Sequence, residues 1–396
     1  MSHIFVGVDI GKRHHEAAGL DDSGREIMAP VRFANTAAGL STLLKKLPSG
    51  STEIIFGLEA TGHYWLNLYC ALTTKGFQVK VINPMQSDAL RNLFIRQTKT
   101  DKKDALIIAE VLRLGRYTAT NLPKENIFKL KNLSRFYLEM MSHLLVYKQR
   151  LLQVLDKIFP EYEKLFSDPL IKTSKELLKQ GVLPEDLVSW DVGKLSRWLK
   201  RQSHGRLGDK KAREILDTAA DSFGITLATD AFSFELRLLV EQIEFSQKQM
   251  ADLADKIEEM VEELQTPLTT IPGIGRLLAA CILGEIGDIR RFSKAKKLVA
   301  FAGLDATVCQ SGEFLGTRAH ISKRGSPYLR RVLWLAANVA RRCNPTFKAF
   351  YEKKLAEGKH PQVVMGAVAK KLCLLIHACL SKNEPFNPDY QWKSGS

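Results

Sequence analysis

Four carboxylates and one serine carry most of the chemistry this sequence can offer. Asp9 closes the run Ile4-Phe5-Val6-Gly7-Val8-Asp9-Ile10-Gly11, and Glu59 closes Glu53-Ile54-Ile55-Phe56-Gly57-Leu58-Glu59. Both runs read as strands, and each acid shares its strand face with a glycine two residues earlier. Glycine weakens a strand but lets a ligand or another backbone come close. A carboxylate inside an apolar run is costly unless it is paired or binds a cation. Asp101 and Asp104, in Thr98-Lys99-Thr100-Asp101-Lys102-Lys103-Asp104-Ala105, stand three apart at a helix start and can occupy one helix face. Brought together, these acids would repel, and a divalent cation is the usual remedy. Oxygen-only ligands suit Mg²⁺ or Mn²⁺ rather than zinc. Two such ions about 4 Å apart stabilise both the attacking and leaving oxygens in phosphoryl transfer. Singly, each acid has a plainer use: a solvated strand end for Asp9 and Glu59, an N-cap for Asp101, a favourable first-turn charge for Asp104.

The C-terminal part offers a second chemistry. Between residues 290 and 331 ten Lys/Arg stand against two acids, Asp305 and Glu313, which suits a phosphate-binding surface. Arg318, Lys323, Arg324, Arg330 and Arg331 belong to it. Gln310-Ser311-Gly312 lies in its midst, and a serine there is a candidate nucleophile toward phosphate, with the cations stabilising the transferred charge. Ser-Gly is also a common turn, and Ser293, Ser322, Ser326 and Cys309 compete for the role. Upstream, Ile271-Pro272-Gly273-Ile274-Gly275-Arg276-Leu277-Leu278-Ala279 matches a helix-hairpin-helix pattern. Gly273, Gly275 and Arg276 would then present backbone N–H groups and a cation to a phosphate without reading base sequence. A tight turn between packed helices has the same pattern.

The elements that must hold these residues follow from periodicity. Residues 3–10, 15–20 and 26–33 read as three strands with short polar turns, and strands at 53–59 and 78–82 alternate with helices through Leu40, Leu43 and Leu44 and over 64–72. An amphipathic helix spans 102–115. The expectation is a mixed sheet of about five strands. Residues 127–159 and 232–265 are long strand-free patterns of near-heptad apolar spacing, among them Leu145, Phe234 and Leu238. They predict antiparallel coiled-coil arms, or equally two packed helices of a bundle. Between them, 165–230 reads as a helical insertion with a basic cluster, Lys194 to Arg213. The predicted domains are thus 1–124, 125–266 with the insertion, and 267–396. The fold class is α/β plus all-α.

A net charge of +15 on 396 residues points to a polyanionic partner, with nucleic acid ahead of an anionic membrane surface. The six cysteines show no metal spacing, which predicts reduced thiols. No signal peptide is evident, and every apolar run reads as too short or too charged to span a membrane. The expectation is a cytoplasmic protein with no membrane partner.

In this order, the Asp9, Glu59-Ala60-Thr61-Gly62, Lys99-to-Ala105, Pro272-to-Gly275, Gln310-Ser311-Gly312 and Lys323-to-Arg331 segments resemble the DEDD-type insertion-sequence transposases, the bridge-RNA-guided recombinases. The resemblance implies a RuvC-like, ribonuclease-H-type first domain with Asp9, Glu59, Asp101 and Asp104 as Mg²⁺ (or Mn²⁺) ligands. It implies Ser311 as the nucleophile that joins DNA through a phosphoserine. It implies donor and target DNA and a noncoding guide RNA as partners, and a bacterial, nucleoid-associated location. It also implies a homo-oligomer, a dimer assembling to a tetramer, whose active sites pair one protomer's acids with another's serine.

Three other readings are weaker. Val6-Gly7-Val8-Asp9-Ile10-Gly11 also resembles the first phosphate loop of sugar kinases and actin-like ATPases, but no second Asp-x-Gly loop or Gly-Gly adenosine motif follows. A junction resolvase accounts for the acids and not for the C-terminal half. A non-catalytic DNA-binding protein leaves the four acids unexplained.

Overall fold

The computed structural model describes residues 3–48, 53–60, 62–91, 101–115, 117, 122–180, 183–306, 310–311, 314–315 and 320–388, with the backbone alone at positions including Asp101 and Ser311. Contacts divide the chain into two compact units, Met1–Leu122 and Pro123–Ser396.

The first unit contains β1 (His3–Asp9), β2 (His14–Asp21), β3 (Glu26–Ala34), α1 (Ala37–Leu44), β4 (Glu53–Glu59), α2 (Trp65–Thr74), β5 (Gln78–Ile82), α3 (Pro84–Arg91) and α4 (Asp101–Arg113). The strands form one mixed sheet in the order β3-β2-β1-β4-β5. β1 is antiparallel to β2 and parallel to β4, so it lies where the meander meets the crossover half. The alternation expected for β1 holds. Ile4, Val6 and Val8 are buried with Phe56, Leu58 and Val81 against Leu40 and Leu43 of α1 and Leu68 and Leu72 of α2. Phe5 and Ile55 turn the other way, toward Ile108, Val111 and Leu112 of α4.

That second face decides between the two expected neighbours of the strand glycines, a ligand or another part of the chain: the space beside Gly7 and Gly57 is filled by α4. A Cβ on Gly7 would lie 2.1 Å from the Ala105 carbonyl oxygen and 2.3 Å from the Ala109 nitrogen. On Gly57 it would meet the Leu112 and Ile108 side chains. The helix therefore lies backbone-to-backbone on β1, a closeness only glycine permits.

The second unit is built on α5 (Glu125–Ile158) and α11 (Thr229–Leu264), which pack along one another. Between them come α6 (Tyr162–Leu165), α7 (Lys172–Lys179), α8 (Pro184–Val188), α9 (Val192–Gln202) and α10 (Asp209–Ala220). Two cores share the long helices. Leu144, Leu151, Val154, Leu155 and Ile158 of α5 pack with the insertion, through Leu177, Leu187, Leu195, Leu199 and Ile215. Leu130 and Leu138 pack instead with the C-terminal helices. Not every heptad residue joins a seam: Leu145, Phe234 and Leu238 are exposed, because a straight helix drifts off a 3.5-residue repeat and neighbouring positions such as Leu144 and Leu145 cannot both face inward.

After a 3₁₀ turn at Pro267–Thr270 follow α12 (Arg276–Ile286), α13 (Ala295–Phe301), a two-stranded ribbon of β6 (Gln310–Ser311) and β7 (Phe314–Leu315), α14 (Pro327–Cys343), α15 (Pro345–Ala356) and α16 (Pro361–Lys382). α16 corrects the sequence reading. By length and composition alone it is long and apolar enough to cross a membrane, and half of that stretch is buried within the unit. Lys370 and Lys371 interrupt the run without lowering its mean hydropathy below that of a spanning segment.

Candidate active site

Asp9 and Glu59 terminate neighbouring parallel strands, one step beyond the paired Val8 and Leu58. They therefore stand at the carboxyl edge of the sheet, the edge at which open α/β sheets bind ligands. The run of α4 decides where Asp101 and Asp104 belong. Its last residue, Arg113, donates from Nη1 to the Asp22 carbonyl oxygen at 3.3 Å, while Asp22 Oδ2 accepts from the His3 backbone nitrogen at the start of β1. The middle of α4 crosses Gly7. The helix thus runs antiparallel to β1, and its first turn, with Asp101 and Asp104, lies toward the end where Asp9 stands.

Asp104 and Glu59 are buried, at 4% and 8% exposure. The Ser87 hydroxyl of α3 donates to Glu59 Oε2 at 2.9 Å, a neutral partner that orients the carboxylate without neutralising it. A further acid, Glu16, escaped the sequence reading. It lies directly opposite Asp9 in the β1–β2 register and is 6% exposed. Cross-strand partners share a face, so Glu16 projects with Asp9. The signal in the sequence was a carboxylate set in the otherwise apolar run Glu16-Ala17-Ala18-Gly19-Leu20. Among the described residues no group of three or more His, Cys, Asp or Glu side chains is arranged to hold a metal ion. The donors there are all carboxylate oxygens, which match Mg²⁺ or Mn²⁺ in chemistry.

In the second unit Ser311 closes β6, paired with Phe314 of β7. The root of this loop is firmly tied. Ala306 bridges Ile321, the Ser322 hydroxyl donates to Asp305, and the Ser322 nitrogen donates to the Asp305 carbonyl at 2.8 Å. A Cβ on Gly303 would lie 2.3 Å from the Arg324 carbonyl oxygen, and one on Gly325 would lie 2.1 Å from that of Phe301. Both glycines have positive φ, 66° and 81°, so the two sides of the root meet at positions only glycine fills easily. Beyond it the Ser326 hydroxyl caps α14 and donates to Glu285 Oε2 at 2.6 Å. Glu285 also accepts from Arg135 of α5, at 2.5 and 3.0 Å. Burial raises the Glu285 pKa, but the hydrogen bonds from Arg135 and Ser326 outweigh it and hold the carboxyl below its usual range.

The basic residues divide. Lys323 and Arg324 are exposed beside the loop root. Arg330 donates to the Ala302 carbonyl at 3.3 Å, and Arg331 donates to the Leu138 carbonyl and the Ser142 hydroxyl of α5 at 3.0 and 2.7 Å. Arg331 is thus a tie between helices. Arg318, Cys309 and Gly312 lie outside the described residues. Gly273, at φ 95°, sits against α14, where its Cβ would meet the Ala340 nitrogen at 2.6 Å. Gly275 precedes α12 with open space around it, and no side chain caps that helix start. Arg276 pairs with Glu262 at 2.6 Å, both half exposed.

Residues 6–160 match the profile of the DEDD-type IS110 transposases, and residues 265–352 that of the IS116/IS110/IS902 transposase family. The chain is a DEDD-type insertion-sequence transposase. Relatives align with it along nearly their whole length. The mini-circle protein for IS117 of Streptomyces coelicolor is 26% identical, over 97% of this transposase and 95% of the relative. The IS116 protein of Streptomyces clavuligerus is 25% identical, over 97% and 96%. The pilin gene-inverting protein of Moraxella bovis is 25% identical, over 98% of each chain. The transposase is accordingly a DNA transposase/recombinase enzyme whose partner is DNA, with a mixed five-stranded sheet in its first unit and a helical remainder.

Proposed function

We propose that this transposase exchanges strands between donor and target DNA by a serine-linked route, with a noncoding guide RNA pairing to both DNAs. The observation that carries the reading is the placement of α4. By lying on Gly7 it sets the first-turn acids Asp101 and Asp104 toward the sheet edge that bears Asp9 and Glu59. These four would hold Mg²⁺ or Mn²⁺, and the bound ion would supply charge neutralisation at a phosphate. The strand order, with β4 and then β5 parallel to β1 on one side and the antiparallel β2 and β3 on the other, supports a RuvC-like, ribonuclease-H-type domain.

In the second unit the proposed step is attack by Ser311 Oγ on a phosphodiester. A seryl P–O bond forms, the P–O bond to one sugar oxygen breaks, and the seryl proton ends on the departing oxygen. A phosphodiester is exchanged for a phosphodiester, which conserves the bond for resealing after strand exchange. Lys323 and Arg324 would bind flanking phosphates, and the uncapped start of α12 after Gly275 would take another as in a helix-hairpin-helix. That a relative is named as inverting a pilin gene favours recombination over cutting alone. The long pair α5 and α11 supports a coiled-coil role in a homo-oligomer, a dimer assembling to a tetramer.

The test is incubation of the protein with donor DNA, target DNA, the element's RNA and Mg²⁺, followed by mass spectrometry of DNA-linked peptides. A phosphoserine linkage at Ser311, lost in Ser311→Ala together with strand exchange, is expected. Cleavage without any linkage would mean a metal-dependent nuclease of the junction-resolvase kind. DNA binding without cleavage would mean a non-catalytic binder.

A further inference from the structure

Among the described residues of the first unit the buried acids are Glu16, Glu59 and Asp104, and Glu16 alone has no task in the four-acid site. Glu59 accepts from the Ser87 hydroxyl. Glu16 is 6% exposed and makes no hydrogen bond or ion pair among the described residues. Arg32 stands opposite it in the β2–β3 register, but that side chain is exposed and forms no ion pair with it. A carboxylate taken out of water without a partner is costly, so this one needs a reason to be there.

Its register supplies one. Glu16 pairs with Asp9 across β1 and β2, and Glu59 lies one step past the Val8–Leu58 pair across β1 and β4. Residues level with one another on adjacent strands share a face, and here it is the face that α4 covers, since Gly7 and Gly57 meet that helix. α4 packs on β2 as well as on β1, so Glu16 lies under the same helix. Glu16, Asp9 and Glu59 thus form a row over three adjacent strands, with Asp9 in the middle and about 4.8 Å from strand to strand. Carboxylates this close repel one another, and a cation seated between them reverses the sign.

We propose that Glu16 is a fifth carboxylate ligand of the metal site, holding a divalent cation between itself and Asp9. The proposal rests on the reading of Asp9, Glu59, Asp101 and Asp104 as metal ligands, and it adds a second seat to that site. One ion lies on the Glu59 side of Asp9 and one on the Glu16 side, with Asp9 shared. Seats centred in the two gaps flanking β1 are one strand spacing apart, about 4.8 Å. That is close to the roughly 4 Å between paired ions in phosphoryl transfer. The ions would draw the side chains inward, since among the described residues no three such groups already stand in ligating geometry.

The test is calorimetric titration of the full-length protein with manganese chloride, in the absence of nucleic acid, beside thermal midpoints measured in chelator and in Mn²⁺. Glu16→Gln keeps the shape of the side chain and removes its charge. It should weaken Mn²⁺ binding at least about tenfold, or remove one of two binding steps. Its midpoint in chelator should equal or exceed the parent's, because a repulsion is gone. A lowered midpoint in chelator with Mn²⁺ affinity and steps unchanged would make Glu16 a structural residue and overturn the proposal. Should Glu16→Gln fail to fold, Glu16→Asp takes its place: it keeps the charge but draws the oxygens back from the ion, and the same loss of affinity is expected. Asp9→Asn tells the two readings apart. Binding lost in Asp9→Asn but unchanged in the Glu16 variant overturns the role of Glu16 and leaves the four-acid site standing. No Mn²⁺ binding by the parent, or binding that Asp9→Asn does not weaken, overturns both.

Discussion

Gly7 of β1 lies beneath Ala105 of α4 with no room for a methyl group: a Cβ there would sit 2.1 Å from the Ala105 carbonyl oxygen. That oxygen belongs to the helix backbone and cannot swing aside. Gly7→Ala should therefore displace α4, lowering stability by at least about 3 kcal/mol, beyond ordinary overpacking. Gly57→Ala meets the Leu112 side chain instead, at 2.5 Å, and a rotamer change can relieve it. It should cost about 1–2 kcal/mol. Urea unfolding of both variants checks the ranking, and equal losses would show that α4 does not rest on β1 as described.

Millimolar Mg²⁺ or Mn²⁺ should raise the thermal midpoint of the protein, since a ligand that binds only the folded state stabilises it by about 1.4 kcal/mol per tenfold excess over Kd. Asp9→Asn and Asp104→Asn should abolish the rise and strand exchange together. Calorimetry with the metal alone provides a reading independent of DNA. A shift undiminished in Asp9→Asn would remove that residue from the metal site.

Thiol chemistry should separate the cysteines cleanly. Burial pushes Cys281 up to about 11 and Cys373 up to about 12, whereas Cys70 and Cys343 are exposed. The thiolate is the reactive form. At pH 8 iodoacetamide should label Cys70 and Cys343 in the native protein, and Cys281 and Cys373 after denaturation only. Peptide mapping by mass spectrometry reads this directly.

Acid should loosen the second unit through Glu285. Its folded pKa is depressed, so the stability it contributes is complete above the ordinary carboxylate range and is lost as pH falls through the lowered value. Glu285→Gln should flatten the acid limb of the stability curve. At neutral pH it should cost no more than about 3 kcal/mol, because the Arg135 side chain left behind is 37% exposed and can be hydrated. Chemical denaturation across the acid range measures both. An unchanged pH slope would mean that the pair is energetically idle.

Much of this architecture was readable from local pattern. The strands ending at Asp9 and Glu59, the short β5 and the two long helices follow from alternation and heptad spacing, which are properties of neighbouring residues. Relationships that depend on pairing across the chain were not readable. A glycine in a strand says that something comes close, but not that α4 does. Glu16 drew no notice in the sequence; only its register opposite Asp9 shows that it lies in the interior. Arg331 looked like a phosphate ligand; its partners on α5 lie 193 and 189 residues away in sequence. Ser311 was picked out by its cationic surroundings, whereas the tied root beneath it came from two glycines with positive φ that sequence alone left unexplained.

The insertion enters and leaves the long helices at nearly one point. The Ile225 nitrogen donates to the Lys157 carbonyl at 2.9 Å, and Gly224 packs against the backbone of Ile158, so the end of α5 and the approach to α11 are already side by side. A short turn could join them there. Such a junction tolerates changes of length, because material gained or lost beyond it leaves the C-terminal core and the serine ribbon untouched.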